Sequence, residues 1–134
     1  MKGMSPQRSP ALIVLAEFEQ PGKLAGPLVQ AGFRTETVDS AEAALRFCGI
    51  NSVDLLITRI VFRYGMTGVE LVNRAQAMKS CPRALMITSH RSERLRKVAG
   101  FPLPGVPVLY QPIMEAELLE TVSSLIPKAA VPKL

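Results

Sequence analysis

The sequence predicts an α/β domain built on one parallel sheet, and three observations carry that prediction. Short, nearly all-apolar runs recur along the chain, as strands buried on both faces require; stretches of helical spacing separate them; and glycine and proline punctuate the boundaries. A length of 134 residues suits a single core, and 48% hydrophobic with 20% charged residues fits a globular rather than a disordered chain.

Each element can be justified in turn. ALIVLA, residues 11–16, is too short for a lone helix and is followed by Glu17 and Glu19, so it reads as a doubly buried first strand. In 20–31, Leu24, Leu28 and Ala31 share one helical face, Gly32 is a C-terminal stop, and Pro27 weakens the helix by removing an amide. FRTETV, 33–38, has the alternation of a half-buried edge strand. The second helix begins with Asp39 three residues before Glu42, a capping-box spacing, and ends at Gly49. VDLLIT, 53–58, is the third strand, and VELVNRAQAMK after it sets Val69, Val72, Ala75 and Met78 on one face. RALMIT, 83–88, is the fourth strand, followed by HRSERLRKVAG as a short basic helix ending at Gly100. VPVLY, 106–110, is the fifth strand, and the last helix places Leu118, Leu119, Val122, Leu125 and Ile126 in one stripe before Pro127.

Five βα units of this length, joined by right-handed crossovers, put helices on both faces of the sheet. The expected architecture is a flavodoxin-like, doubly wound five-stranded parallel sheet of order 2-1-3-4-5 with five helices. It occupies residues 11–127, with flexible tails at 1–10 and 128–134. Such sheets bind ligands beyond the carboxyl ends of their strands, near the reversal of strand order. Function is therefore expected after Leu15, at Arg59, after Thr88 and after Tyr110.

Composition removes several classes. No apolar run approaches the roughly 20 residues of a membrane span, and MKGMSPQRSP lacks the apolar core of a secretory signal, so a cytoplasmic, non-membrane protein is expected. Cys48 and Cys81 lack metal-ligand or disulfide spacing and read as small core residues. His90, the one histidine, opens a helix beside Ser89 and Arg91 without a catalytic partner, and no Ser/His/Asp or Cys/His set is legible. GKLAG and GMTG are too sparse to cradle a phosphate. No metal, cofactor or catalytic residue is expected, and an enzyme with a rebuilt crevice is the weakest alternative.

The strand ends carry Ala16 and Glu17, then Arg59, then Thr88 with Ser89, then Gln111 and Pro112. Together with GFRTETVDSAEAAL, VDLLITRI, GMTGVEL, RALMITSH and YQP in this order, residues 11–126 resemble the receiver domain of bacterial two-component response regulators. The resemblance implies phosphorelay signalling, in which an aspartate accepts a phosphoryl group from a histidine kinase. An acidic pair holds Mg²⁺, a hydroxyl contacts the phosphoryl group, and a lysine steadies its charge. Carried over by position, the acceptor falls on Arg59, the acidic pair on Ala16 and Glu17, the hydroxyl on Thr88 and the lysine on Gln111. Arginine stays protonated and is no carboxylate nucleophile, so Glu17, Arg59, Thr88 and Gln111 make a degenerate phosphorylation pocket, that of a pseudo-receiver. Its guanidinium either fills the vacated pocket and pairs with Glu17 or points into water. The family's fifth-strand aromatic position is Val108, and Tyr110 lies next to Gln111 on the opposite face. The loop after Arg59, VFRYGMTG, is about one residue longer than the common pattern.

The net charge of +5 raises the question of an acidic partner. Arg91, Arg94, Arg96 and Lys97 concentrate positive charge on the predicted fourth helix. A solvated helix face explains such a run. By resemblance, the same helix with the fifth strand and fifth helix forms the face receivers use for dimers and targets. The expected function is phosphorylation-independent contact with a signalling protein, a homodimer through that face being one form. A nucleic-acid-binding module using the basic helix is the alternative, disfavoured because no aromatics interleave the charges.

Overall fold

In the computed structural model, the described residues are 11–16, 22–62, 65–79, 82–89, 95 and 97–126. They form one five-stranded parallel sheet, β1 (Leu12–Ala16), β2 (Arg34–Val38), β3 (Leu55–Arg59), β4 (Arg83–Thr88) and β5 (Val108–Tyr110), in the order β2-β1-β3-β4-β5. Four helices are present among the described residues: α1 (Gly22–Gln30), α2 (Ala41–Ile50), α3 (Gly68–Gln76) and α4 (Glu115–Leu125). The expected doubly wound order is the observed one. Most of the predicted basic helix, 90–94 and 96, lies outside the described residues, as do both predicted tails.

The apolar strands divide their side chains between two cores, which is why their sequences are continuous rather than alternating. One core combines Val14, Ala16, Leu56, Ile60, Ala84 and Met86 with Ala44 and Cys48 of α2, with Leu71, Val72 and Ala75 of α3, and with Leu95 and Val98. The other combines Ile13, Leu15, Leu55, Ile57, Leu85, Ile87 and Leu109 with Leu24 and Leu28 of α1 and with Leu118 and Val122 of α4. Burial raises the pKa of the Cys48 thiol above its ordinary value, so it sits neutral among apolar neighbours.

Local chemistry sets the helix ends. Gly32, at φ 98°, follows α1 in a left-handed conformation. Its N–H donates to the Val29 carbonyl at 2.9 Å and the Phe33 N–H to the Leu28 carbonyl at 3.0 Å, a Schellman stop that also seats Phe33 in the core. Pro27 stands inside α1 without ending it, its own carbonyl accepting from Ala31 at 3.0 Å. In α2, the expected cap and stop each move. Ser40, not Asp39, accepts from the Ala43 N–H at 3.0 Å, because the helix starts at Ala41. Gly49 lies within the helix, which Asn51 ends through its backbone and side-chain amides on the Phe47 carbonyl.

Asp54 explains why β3 starts later than Val53. Its carboxylate accepts from the Leu12 N–H at 2.8 Å, its own N–H donates to the Leu12 carbonyl at 3.0 Å, and its carbonyl accepts from Arg83 at 3.1 Å. One residue thereby ties β1, β3 and β4 together at the amino end of the sheet. β5 is shorter than the predicted 106–110, since Val106 turns back to bond the Leu103 carbonyl and Pro107 has no N–H to donate.

Candidate functional site

The site lies at the carboxyl ends of β1, β3, β4 and β5, where the strand order reverses. Parallel registers place Ala16 beside Thr58, Arg59 beside Ile87, and Thr88 beside Tyr110. The Thr88 carbonyl also accepts from the Gln111 N–H at 2.8 Å. Arg59 and Thr88, singled out by the sequence, therefore end neighbouring strands, and Gln111, also singled out, directly follows the next one. Glu17, the fourth, lies outside the described residues.

Their environments differ. Thr88 is buried at 5% exposure, Arg59 is half-buried at the end of an otherwise buried strand, and Gln111 is exposed. Tyr110 is 53% exposed and Met114 73%, leaving an aromatic and a thioether on the surface just beyond β5. Of the basic run, Lys97 is exposed, while Arg91, Arg94 and Arg96 lie outside the described residues. Between them in sequence, Leu95 is buried, with Val98 beyond, in the core shared with α2 and α3.

Two residues that sequence reasoning did not select fix the exit from β3. Thr58 is fully buried, and its hydroxyl donates to the Arg59 carbonyl at 2.9 Å. Gly68, the first residue of α3, presses against the same place. Its N–H donates to the Ile60 carbonyl at 2.8 Å, and a Cβ built there would overlap the Arg59 carbonyl oxygen and come within 2.9 Å of the Ile60 Cα. Only glycine fits so close a backbone approach. Thr67 caps α3 by accepting from the Glu70 N–H at 3.2 Å, a spacing legible in GMTGVEL once the helix start is known.

Among the described residues, the donors at these strand ends do not suit a divalent cation. Ala16, fully buried, has no side-chain oxygen, Arg59 is a fixed cation, and Thr88 and Gln111 supply only neutral oxygens. Among the described residues, no three His, Cys, Asp or Glu side chains are grouped to hold a metal. Nor is any described helix long and apolar enough to cross a membrane.

Comparison with solved structures adds a decisive observation. A signal receiver domain of an HD domain-containing protein from Pseudomonas fluorescens Pf-5 matches with a TM-score of 0.78 at 18% identity, over 96% of this chain and 95% of that one. The chain has the receiver fold. The Vibrio cholerae chemotaxis protein CheY4 matches at 0.75 with 21% identity, over 87% and 99% of the two chains. A CheY-like response regulator receiver domain from Methanospirillum hungatei JF-1 matches at 0.76 with 18% identity, over 90% and 97%. No protein-family model and no curated protein matches the sequence. At these identities the likeness concerns the fold, in which Arg59, Thr88 and Gln111 stand at or just beyond the carboxyl ends of β3, β4 and β5.

Proposed function

We propose that the chain is a receiver-fold signalling domain without a phosphoacceptor aspartate, a pseudo-receiver that works in the cytoplasm through protein contacts and not through catalysis. The observation that carries this reading is Arg59 at the carboxyl end of β3, the position to which the resemblance assigns the aspartate. A guanidinium stays protonated at any physiological pH and cannot attack a phosphohistidine. Ala16 and Gln111 replace an acid and a lysine at the positions around it, so three of the assigned groups have changed in a mutually consistent way.

In this reading Arg59 substitutes for the switch. Ala16 and Thr58 are register partners, and the residues that follow them in sequence are Glu17 and Arg59. A fork-shaped guanidinium meeting that carboxylate holds the crevice in one state without phosphorylation. Output then passes to a partner with an acidic surface through Arg91, Arg94, Arg96 and Lys97.

Incubation with acetyl phosphate and Mg²⁺, followed by intact mass measurement, tests the first half of the proposal. An unmodified mass is expected, and stable addition of one phosphoryl group would sink it. Pull-down from native cytoplasm with Arg94→Glu and Lys97→Glu tests the second half, with loss of the partner expected and retained binding counting against it. Salt-dependent retention on nucleic acid, lost in the same variant, would replace the protein partner with a nucleic-acid one.

A further inference from the structure

The sheet has a second exposed edge that the proposed function does not use. β2 ends the sheet, and among the described residues only β1 pairs with it. In a parallel strand the backbone groups of alternate residues point to opposite neighbours. The Arg34 N–H donates to the Ala11 carbonyl at 3.1 Å, so the residues at even positions face β1, and Thr35 and Thr37 present their N–H and C=O groups outward. Arg34 and Glu36 are both exposed and, being two apart, stand on one face of the strand.

Edge charges ordinarily blunt an edge, because a row of one sign repels its own copy. Arg34 and Glu36 do the reverse, since they are opposite in sign and symmetrically placed about Thr35. We propose that β2 pairs with β2 of a second copy of this chain, antiparallel, about a two-fold axis through Thr35, to make a continuous ten-stranded sheet.

Each part of this register follows from the strand itself. Thr35 meets Thr35 of the second copy as a hydrogen-bonded pair, which its outward backbone groups allow. The Thr37 N–H faces the Phe33 carbonyl of the second copy, while the Phe33 N–H stays on the Leu28 carbonyl at 3.0 Å. Arg34 lies across from Glu36 twice over, at the closer non-hydrogen-bonded positions where opposite charges attract. A shift by one pair would set Glu36 against Glu36, so like charge excludes the neighbouring register. A two-fold axis normal to the sheet keeps each face continuous, with α1 beside its counterpart and α2 beside its own. Self-association is thereby assigned to β2, which leaves the basic run to a different partner.

Sedimentation equilibrium of the full chain, across dilutions up to roughly 1 mM, tests this directly. The wild type is expected to dimerise reversibly. Arg34→Glu and Glu36→Arg, each alone, bring like charges together and are expected to raise the dimer Kd about tenfold or more. An equimolar mixture of the two variants restores opposite charges at both positions and is expected to associate again, as is the Arg34→Glu/Glu36→Arg double variant. Far-UV circular dichroism of each variant separates lost pairing from lost folding, and the mixture keeps the test valid if the double variant folds poorly. A wild type monomeric throughout, singles that dimerise unchanged, or a mixture that stays monomeric would each overturn the proposal. So would a dimer abolished by Arg94→Glu/Lys97→Glu, which would place self-association on the basic run.

Discussion

Asp54, just before β3, and Arg59, at its carboxyl end, use their side chains differently. At the amino end Asp54 spends its carboxylate on the Leu12 N–H, and its hydrogen bonds join three strands. At the carboxyl end Arg59 stands where the resemblance assigns an aspartate, yet the backbone there is no less fixed, held by the Thr58 hydroxyl and the Gly68 contact. A side chain that holds main chain together has few substitutes. One that projects from a strand end into a crevice is replaceable as long as the strand still delivers it. The fold and the reaction are therefore separable along a single strand.

The comparison breaks hardest at the glycine. Gly68→Ala forces a methyl group into the Arg59 carbonyl, and since the obstacle is backbone the cost is about 2–3 kcal/mol. Urea unfolding should show it as a lower midpoint, and an unchanged midpoint would mean that α3 moves aside easily. Asp54→Ala comes next. It leaves the Leu12 N–H without its acceptor and is expected to cost about 2 kcal/mol by the same measurement. Asp54→Asn, which keeps an acceptor oxygen, should recover part of that. The smallest expected effect is at the other end of the strand. Arg59→Asp restores a carboxylate at the exit of β3, but with Ala16 and Gln111 unchanged it should gain no phosphoryl group from acetyl phosphate and Mg²⁺ by intact mass. Modification of that variant would show that one side chain alone separates this crevice from a working receiver.

Much of this was legible in the chain because the signals are local or periodic. Four apolar runs and one alternating segment yield five strands in the expected order, and the Leu118, Val122 and Ile126 stripe is buried as its spacing requires. The misreadings have tertiary causes. The strand read as starting at Val53 starts at Leu55, because Asp54 uses its side chain across to β1. Asp39 and Ser40 are both good caps, and only the position of the first helical residue chooses Ser40. Gly49 looked like a stop because glycine ends helices often, but Asn51 supplies both amides here. Gly68 carries no sign of its role, since a backbone contact with a strand end nine residues upstream leaves no periodic trace. The placement of Arg59, Thr88 and Gln111 at or just beyond strand ends is legible from the strand pattern. The exposure of Tyr110 and Met114 beside them is not, since it depends on where β5 and α4 end.

The bonds between Asp54 and Leu12 also bear on how the chain folds. They span 42 residues, and β1 lies between a neighbour that follows it closely and one that arrives only after two helices. The central pairing of the sheet must therefore wait until that long loop closes, whose entropy has to be overcome before the contact repays it. The long-range closure that completes the middle of the sheet is thus tied at the amino end of β3, opposite the strand ends that carry Arg59 and Thr88.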